Sequence, residues 1–218
     1  MNDSKRKKNI IALFDYDGTI IDSVDLAYKI FKSISKEYGL ASLKSVKHFV
    51  QLYKINFYES LLVNGLLHSK IPYFAREFRL PFIEHEKKMQ VFKGMKGIIE
   101  KLSKKAKIII ITSNFSDVVK SSIKAHRLKG ISKVIGADSG FSKFKTIKMI
   151  KKKYPNYKIF YIGDTCGDML EAKKAGVKRI GVTWGYHTRK ELEEAKPDFI
   201  VNKPKELLEI FNYNEEHK

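Results

Sequence analysis

The fold is decided around residues 14–19, which read Phe14-Asp15-Tyr16-Asp17-Gly18-Thr19 and follow directly on the short apolar run Ile10–Phe14. Asp15 and Asp17 stand two residues apart, a spacing that places both side chains on the same face of an extended chain. An Asp-Gly pair is also an ordinary turn signal, so the stretch alone leaves a simple turn open. Its position after a buried strand predicts a site, because ligands of open parallel sheets bind beyond the carboxyl ends of the strands.

Further apolar runs of strand length lie along the chain. They are Ile108–Ile111, Val134–Ala137, Ile159–Gly163, Ile180–Thr183 and Phe199–Val201. Runs that are apolar throughout predict strands covered on both faces. Segments with helical spacing lie between them, namely Met95–Lys104, Ser116–His126, Lys145–Lys153, Asp168–Ala175 and Pro204–Phe211. This alternation predicts an α/β fold with a Rossmann-like three-layer α/β/α core, a parallel sheet and right-handed βαβ connections.

From about residue 23 to about residue 91 the strand signal gives way to helical spacing, as in Leu26, Ile30 and Ile34. We therefore predict an all-helical cap domain at residues 23–91, inserted into a catalytic core of residues 1–22 and 92–218. The aromatic residues of this segment fit a helical core more simply than a stacking platform for bases. They are Phe49, Tyr53, Phe57, Tyr58, Tyr73, Phe74, Phe78 and Phe82.

The composition, with 43% hydrophobic and 31% charged residues in 218, is typical of a soluble globular protein. The single cysteine, Cys166, cannot form an internal disulfide, which favours a reducing compartment. No stretch approaches the roughly 20 apolar residues that cross a bilayer, and the basic N-terminus is followed by too short an apolar run for export. We expect a cytoplasmic protein, monomeric or homodimeric, without a membrane partner.

The net charge of +19 would attract anionic ligands and could serve nucleic acid or acidic lipid. Most of the excess is lysine in short clusters near element boundaries, where lysines are commonly just solvated. The clusters are Lys5–Lys8, Lys104–Lys107 and Lys151–Lys153. Because no recognised nucleic-acid-binding motif accompanies the charge, we expect no nucleic-acid partner.

A second acidic group follows the predicted strand Ile159–Gly163. Thr165 and Asp168 have the spacing of a capping box, which suffices to explain Asp168. It does not explain Asp164, an acid between a buried strand and a helix, where an uncompensated charge is costly. Several acids at one edge of the sheet repel each other unless a hard cation neutralises them, and such oxygen ligands suit Mg²⁺.

The strand Ile108–Ile111 ends in Thr112-Ser113-Asn114, and Ser116 could cap the helix that follows. Hydroxyl and amide groups at a helix start favour phosphate. Lys143 or Lys145, before the next helix, could add a positive charge. Each lysine alone could equally be a solvated surface residue.

Together and in this order, the four segments resemble the haloacid dehalogenase-like superfamily over nearly the whole chain. Residues 15–19 look like its first motif, Thr112 its second and residues 163–168 its fourth. Lys143 is identified with the third motif, and Lys145 is the alternative. The identity of residue 17 points to phosphate-ester chemistry, because dehalogenase members are not expected to have Asp there and the cation-pumping relatives have Thr.

The resemblance implies that Asp15 attacks phosphorus to form an aspartyl-phosphate, while Asp17 protonates the leaving oxygen and then activates water. It assigns Mg²⁺ to Asp15, the Asp17 backbone carbonyl and Asp164, with Asp168 orienting the metal's shell or the lysine. It assigns the phosphoryl oxygens to Thr112, Ser113, Asn114 and Lys143.

The implied function is Mg²⁺-dependent hydrolysis of a small phosphomonoester, a small phosphorylated metabolite. Residues 183–188 resemble a loop of phosphoglycolate phosphatase-like members, which makes such an activity the leading expectation. His187 of this loop could line the entrance or be packed by Trp184, and we expect the other histidines at the surface or at caps. A sugar phosphomutase of the same superfamily and a non-enzymatic basic binding module are the alternatives.

Overall fold

The computed structural model describes residues 9–85 and 88–216, so the basic run Lys5–Lys8 lies outside the described residues. In chain order the strands are β1 (Ile10–Phe14), β2 (Ile21–Asp22), β3 (Gln90–Val91), β4 (Lys107–Ile111), β5 (Ile131–Ile135), β6 (Lys158–Gly163), β7 (Lys178–Val182) and β8 (Phe199–Val201). The α-helices are α1 (Val24–Ile34), α2 (Val46–Val50), α3 (Phe57–Val63), α4 (Ile71–His85), α5 (Met95–Leu102), α6 (Ser116–Ala125), α7 (Lys143–Lys153), α8 (Cys166–Ala175), α9 (Arg189–Glu194) and α10 (Glu206–Glu216). None of these described helices is long and apolar enough to span a membrane.

Six strands form one parallel sheet in the order β5-β4-β1-β6-β7-β8. Successive side chains of β1 point to opposite faces, so Ile10, Ala12 and Phe14 join one buried cluster and Ile11 and Leu13 join the other. Helices α5, α6 and α10 cover the first face, and α7, α8 and α9 cover the second. The predicted three-layer α/β/α fold with a parallel sheet is confirmed.

The centre of the sheet is the point where the strand order reverses. The chain runs from β1 outward through β4 to β5, and then returns to place β6 on the other side of β1. Phe14, the last residue of β1, pairs with Ile110 on one side and Ile162 on the other. The carboxyl ends of β4, β1 and β6 therefore lie side by side, which is where open α/β sheets bind ligands.

Helices α1 to α4 lie in sequence between β2 and β3, which form a separate antiparallel pair with Ile21 opposite Val91 and Asp22 opposite Gln90. The limits of the cap domain at residues 23 and 91 stay a prediction. Most of the aromatic residues predicted to form its core pack against one another through ring contacts. Tyr73 is the exception, since 63% of its surface is exposed.

Several element boundaries differ from the sequence prediction for local reasons. Strand β5 covers residues 131–135, whereas we predicted it at Val134–Ala137, because Ala137 begins a 3₁₀ turn. Helix α7 begins at Lys143, two residues earlier than predicted, since the Ser142 hydroxyl accepts the Lys145 N–H and sets the helix start there.

Two predicted caps have opposite outcomes. The capping box is confirmed, because the Thr165 hydroxyl accepts the Asp168 N–H and the Asp168 carboxylate accepts the Thr165 N–H. Ser116, however, is the first residue of α6 rather than its cap. Its N–H and its hydroxyl both donate to the Asp138 carboxylate, at 2.7 Å each, so a distant acid caps this helix.

Candidate active site

The structure brings the sequence-predicted residues to one pocket between the sheet edge and the helical segment. Its lining includes Asp15, Asp17, Thr112, Ser113, Asn114, Lys143 and Asp168. Asp164 lies at the adjoining end of β6, with no exposed surface. Lys145 is not part of this pocket and lines a separate surface hollow with Phe141 and Met149.

Lys143 lies between two buried carboxylates. Its Nζ is 2.9 Å from Asp15 Oδ2 and 2.6 Å from Asp168 Oδ1. Burial alone would lower the pKa of Lys143, but the two carboxylates outweigh it and raise that pKa well above its usual value. Burial likewise opposes ionisation of Asp168, yet Lys143 lowers its pKa overall, so these two groups form a stable ion pair. The structure thus gives Lys143, rather than Lys145, the position beside the nucleophile candidate.

Asp164 is held from two sides by hydrogen bonds. The Thr19 hydroxyl donates to Oδ1 at 2.7 Å, and the Tyr186 backbone N–H donates to Oδ2 at 2.8 Å. Despite these bonds, burial and then the charge of Asp168 raise the pKa of Asp164 to about 7. Thr19 and Tyr186 were missed as site residues, although Thr19 belongs to the opening motif and Tyr186 to the loop of residues 183–188.

Three acidic side chains share this site with a single lysine, so their full ionisation would leave an excess of negative charge. Oxygen atoms of Asp15, Asp164 and Asp168 lie within 4.8 Å of one another, and Lys143 contributes one positive charge to the three. Burial, followed by the charge of Asp168, raises the pKa of Asp15 well above its usual value. An additional cation would let Asp15 and Asp164 ionise together, and a set of carboxylate oxygens fits Mg²⁺.

Asp168 is the member least available to a metal. Its Oδ1 accepts from Lys143 Nζ and from the Tyr161 hydroxyl, and its Oδ2 accepts from the Thr165 N–H and hydroxyl. Both oxygens of Asp168 therefore already accept hydrogen bonds, and one of these bonds holds the Lys143 ammonium group in position. Asp15 and Asp164 are therefore the side chains best placed to hold Mg²⁺.

Asp17 has the surroundings of a proton donor. Its Oδ2 accepts from Asn114 Nδ2 at 3.3 Å, and its Oδ1 is buried without a hydrogen-bond partner among the described residues. Burial raises the pKa of Asp17 by more than the polar groups of Ser23 and Asn114 lower it. A carboxyl group that retains its proton beside a reacting oxygen can act as a general acid.

The turn after β4 presents polar groups toward the same space. The Asn114 N–H donates to Thr112 Oγ1 at 3.0 Å, which fixes the hydroxyl at the strand end. Thr112 is almost fully buried, while Ser113 and Asn114 are partly exposed in the pocket. These groups could contact the oxygens of a bound phosphate.

The opposite wall of the pocket comes from the helical segment and was not predicted from the sequence. Its residues are Ala27, Tyr53, Ile55, Asn56, Phe57, Tyr58, Ala75, Phe78, Arg79 and Phe82. Which helix faces cover a site depends on tertiary packing, which helical periodicity alone does not specify.

His187 joins the helical segment to the core and is not among the residues that line the pocket. The Cys166 N–H donates to its Nδ1 at 2.9 Å, so its Nε2 carries the proton and donates to the Val50 carbonyl at 2.8 Å. Only 1% of the residue is exposed. Beside it, Gln51 Nε2 donates to Glu191 Oε1 at 2.8 Å, which adds a second link between the same two parts.

Gly18 lies against the metal-ligand candidate, which leads to a prediction. Its φ is +78°, and a Cβ atom there would overlap Asp164 Oδ2. We expect Gly18→Ala to displace Asp164, to abolish activity and to lower the free energy of unfolding by clearly more than the roughly 1 kcal/mol that left-handed backbone strain costs.

Gly39→Ala is the matched control, because Gly39 has φ +72° and no atom lies within 4 Å of the position that its Cβ would take. Chemical denaturation and activity assays of the two variants separate backbone strain from crowding at Asp164. Equal losses of stability, with activity retained in both, would contradict the crowding argument.

Known proteins resemble this chain over most of its length. The sequence model of the haloacid dehalogenase-like hydrolase family matches residues 12–182. A phosphoglycolate phosphatase of Synechococcus elongatus is 21% identical over 201 residues, which cover 90% of this chain and 94% of that protein. A phosphoglycolate phosphatase of Pseudomonas fluorescens is 27% identical over 215 residues, covering 91% and 78%. For the fold, a haloacid dehalogenase-like family hydrolase from Streptococcus pneumoniae superposes with a TM-score of 0.74 at 24% identity, covering 93% of this chain and 99% of that one.

Proposed function

This chain belongs to the haloacid dehalogenase-like hydrolase family, and from that premise we propose that it is a Mg²⁺-dependent phosphatase acting on a small phosphomonoester through a phosphoryl group carried by Asp15. One observation carries the proposal most directly. Asp15 Oδ2 lies 2.9 Å from Lys143 Nζ in the wall of the pocket. Asp17, two residues later in the chain, lines the same pocket, and burial raises the pKa of its carboxyl group.

In the first step, a carboxylate oxygen of Asp15 attacks phosphorus and the bond from phosphorus to the alcohol oxygen breaks. The Asp17 carboxyl group gives its proton to the departing oxygen, so a neutral alcohol leaves. Lys143 and the polar turn at Thr112 hold the oxygens of the transferring phosphoryl group, which keeps the phosphorus in line with its nucleophile.

In the second step, the Asp17 carboxylate takes a proton from water as the water oxygen attacks phosphorus. The bond from phosphorus to Asp15 breaks, inorganic phosphate leaves and both carboxyl groups return to their starting states. Asp168 keeps the Lys143 ammonium in place throughout. Bound by Asp15, Asp164 and the Asp17 carbonyl, Mg²⁺ would supply positive charge that offsets repulsion between the anionic nucleophile and the anionic substrate.

The names of the relatives favour hydrolysis of a phosphoglycolate-like ester, and we extend that class to this chain as a proposal. We further propose a cytoplasmic protein, monomeric or homodimeric, whose partner is a small phosphorylated metabolite. A sugar phosphomutase is the second enzymatic candidate, because the same Asp pair can return the phosphoryl group to a product. A basic binding module without activity would not require Asp15 and Asp17 together.

The test is a screen of the purified protein with Mg²⁺ against a panel of phosphomonoesters, with Asp15→Asn as the background. Phosphate release by the wild type alone supports the phosphatase. Transfer between two positions of one sugar without net release would favour the mutase. Equal release by both proteins would contradict the mechanism.

Metal binding should depend on pH with a defined sign. Because the folded-state pKa of Asp164 is raised to about 7, the folded metal-free protein retains a proton that the unfolded chain loses above its ordinary, lower pKa. Stability from this group is therefore lost as pH rises toward 7, and Mg²⁺ bound to the ionised carboxylate offsets the loss. We expect millimolar Mg²⁺ to raise Tm by more at pH about 8 than at pH about 6, measured against EDTA. An equal or reversed Mg²⁺ effect at the two pH values would contradict this.

A further inference from the structure

Part of the wall that the helical segment contributes to the pocket follows shortly after Val50, a buried residue. Val50 ends α2, and the 3₁₀ turn Gln51–Tyr53 leads from it into a stretch that lines the pocket. The lining residues of this stretch, here called the 53–58 wall, are Tyr53, Ile55, Asn56, Phe57 and Tyr58. The position of the Val50 carbonyl therefore governs where this wall begins.

The 53–58 wall lies against the first turn of α8, the helix that carries Asp168. Gly167, the second residue of that helix, also lines the pocket. A Cβ atom on Gly167 would lie 2.5 Å from the Ile55 carbonyl oxygen and 2.9 Å from the Tyr53 carbonyl oxygen. The two backbones therefore approach more closely than a side chain at position 167 would allow. Such packing sets the distance between wall and core, whereas hydrogen bonds, which are directional, set their orientation.

His187 supplies directional contacts between the same two parts. Its Nδ1 accepts the Cys166 N–H at 2.9 Å, and its Nε2–H donates to the Val50 carbonyl at 2.8 Å. A neutral imidazole carries one proton, so the bond from Cys166 selects the tautomer that can donate to Val50. Because only 1% of the residue is exposed, solvent does not compete for either bond.

The main chain beside this ring holds the metal-ligand candidate. The His187 N–H donates to the Asp164 carbonyl at 3.2 Å, and the Tyr186 N–H donates to Asp164 Oδ2 at 2.8 Å. The Tyr186 ring meets the Tyr53 ring edge to face, with 5.0 Å between the centroids. Residues 186 and 187 therefore contact Asp164 through their backbone and the helical segment through their side chains.

We propose that His187 is a positioning residue, which orients the 53–58 wall over the pocket by holding the Val50 carbonyl. This inference rests on the proposed function of the same site and adds a residue that affects the reaction without touching the substrate. The groups that act on phosphorus belong to the core and make no use of this bond. Loss of the bond therefore weakens substrate binding more than it slows the chemical steps.

Two side chains of related shape separate the two bonds of the His187 ring. In His187→Asn, the amide oxygen can replace Nδ1 as the acceptor for Cys166, but the side chain is too short to reach Val50. In His187→Gln, the amide nitrogen is as many bonds from Cα as Nε2 is, so it can still donate to Val50.

The kinetic test uses the phosphomonoester of the panel that the wild type hydrolyses fastest, with phosphoglycolate as the expected one. We expect His187→Asn to lower kcat/KM by about thirtyfold, mainly through a higher KM. His187→Gln should stay within about threefold of the wild type. His68→Asn is the matched control, because it makes the same replacement at an exposed histidine of the helical segment, and it should change neither kcat nor KM.

Amide hydrogen exchange, followed by mass spectrometry, measures the positioning without any substrate. In the metal-free protein, amides of residues 51–58 should exchange at least about tenfold faster in His187→Asn than in the wild type, and at nearly wild-type rates in His187→Gln. The rise in Tm caused by Mg²⁺ should be the same in all three proteins. Thr19 and the backbone of residues 186 and 187, and not the imidazole ring, hold Asp164.

Three results would overturn the inference. Wild-type exchange in His187→Asn would show that the wall does not depend on the bond to Val50. Equal losses in the Asn and Gln variants would show that the imidazole only fills the core. A His187→Asn protein that does not fold, beside an active His187→Gln, would make the bond a requirement of folding. If the wild type releases no phosphate above the Asp15→Asn background, the proposed function fails, while the exchange rates still decide whether His187 holds the wall.

Discussion

Asp15→Asn will lower phosphate release by at least about a thousandfold, because an amide cannot serve as the attacking oxygen nucleophile. The same change should leave the metal-free fold as stable as the wild type or more stable. Burial and the charge of Asp168 raise the pKa of Asp15 well above its usual value, so the neutral amide resembles the form that the metal-free site already favours. Phosphate-release kinetics and thermal unfolding in EDTA measure the two effects on one variant.

Asp25→Asn is the matched control for this variant. Asp25 is an exposed carboxylate in the first turn of α1, and its replacement should leave both activity and Tm nearly unchanged. Retention of more than about a tenth of wild-type activity by Asp15→Asn would remove Asp15 as the nucleophile. A large fall in its Tm would show that Asp15 is needed as an ionised structural partner of Lys143.

Lys143→Met should have the largest effect on stability. The Lys143 side chain is 10% exposed, and its loss would leave the buried carboxylate of Asp168, 2.6 Å from Lys143 Nζ, without its cation. Removing one partner of a buried ion pair costs about 3–5 kcal/mol, so we expect a loss of that order at neutral pH together with loss of activity. Denaturant titration of wild type and variant measures the difference.

The stability loss in Lys143→Met should depend on pH. Burial raises the pKa of Asp168, but Lys143 lowers it overall in the wild type. The stability that this pair contributes is therefore present above the ordinary pKa of an aspartate and is lost as pH falls through the lower folded-state value. The gap between wild type and variant should be widest near neutral pH and should narrow below about pH 4.

Lys145→Met is the control for Lys143→Met, because Lys145 lies in the same helical turn but is exposed and outside the pocket. Its effect should stay within about 0.5 kcal/mol. If the two variants lose equal stability, the ion pair around Lys143 does not stabilise the fold as argued. Lys143→Arg, which retains a positive charge, should recover part of the lost stability.

The sheet and the acids at its edge could be predicted from the sequence because both depend on local pattern. Apolar runs identified the central strands, and the parallel arrangement brought the residue after each strand to one edge. Asp15, Thr112 and Asp164 each follow a central strand directly, and the structure places them at neighbouring strand ends. Their chemical roles stay a prediction.

The choice between Lys143 and Lys145 could not be made from sequence, because it depends on where a helix begins. Both lysines stand near the start of α7, and a shift of two residues turns a side chain to another side of a helix. Ser142 sets the start by capping the helix, which directs Lys143 toward Asp15.

Contacts between the helical segment and the rest of the chain could not be predicted from the sequence either. Arg79 lies on α4 and meets the core because that helix packs against Phe115 and Asp117. His187 was grouped with an entrance loop, yet it is buried between α8 and the Val50 carbonyl. Contacts between segments so distant in the chain have no periodic signature in the sequence.

The short antiparallel pair of β2 and β3 has a consequence for how such a protein can diversify. Because Asp22 lies opposite Gln90, the segment that contains helices α1 to α4 begins and ends at one place. An insertion anchored at adjacent ends adds little constraint to the fold that carries it. We therefore expect changes in the predicted cap domain to alter substrate selection while Asp15 and Asp164 keep their places at the edge of the sheet.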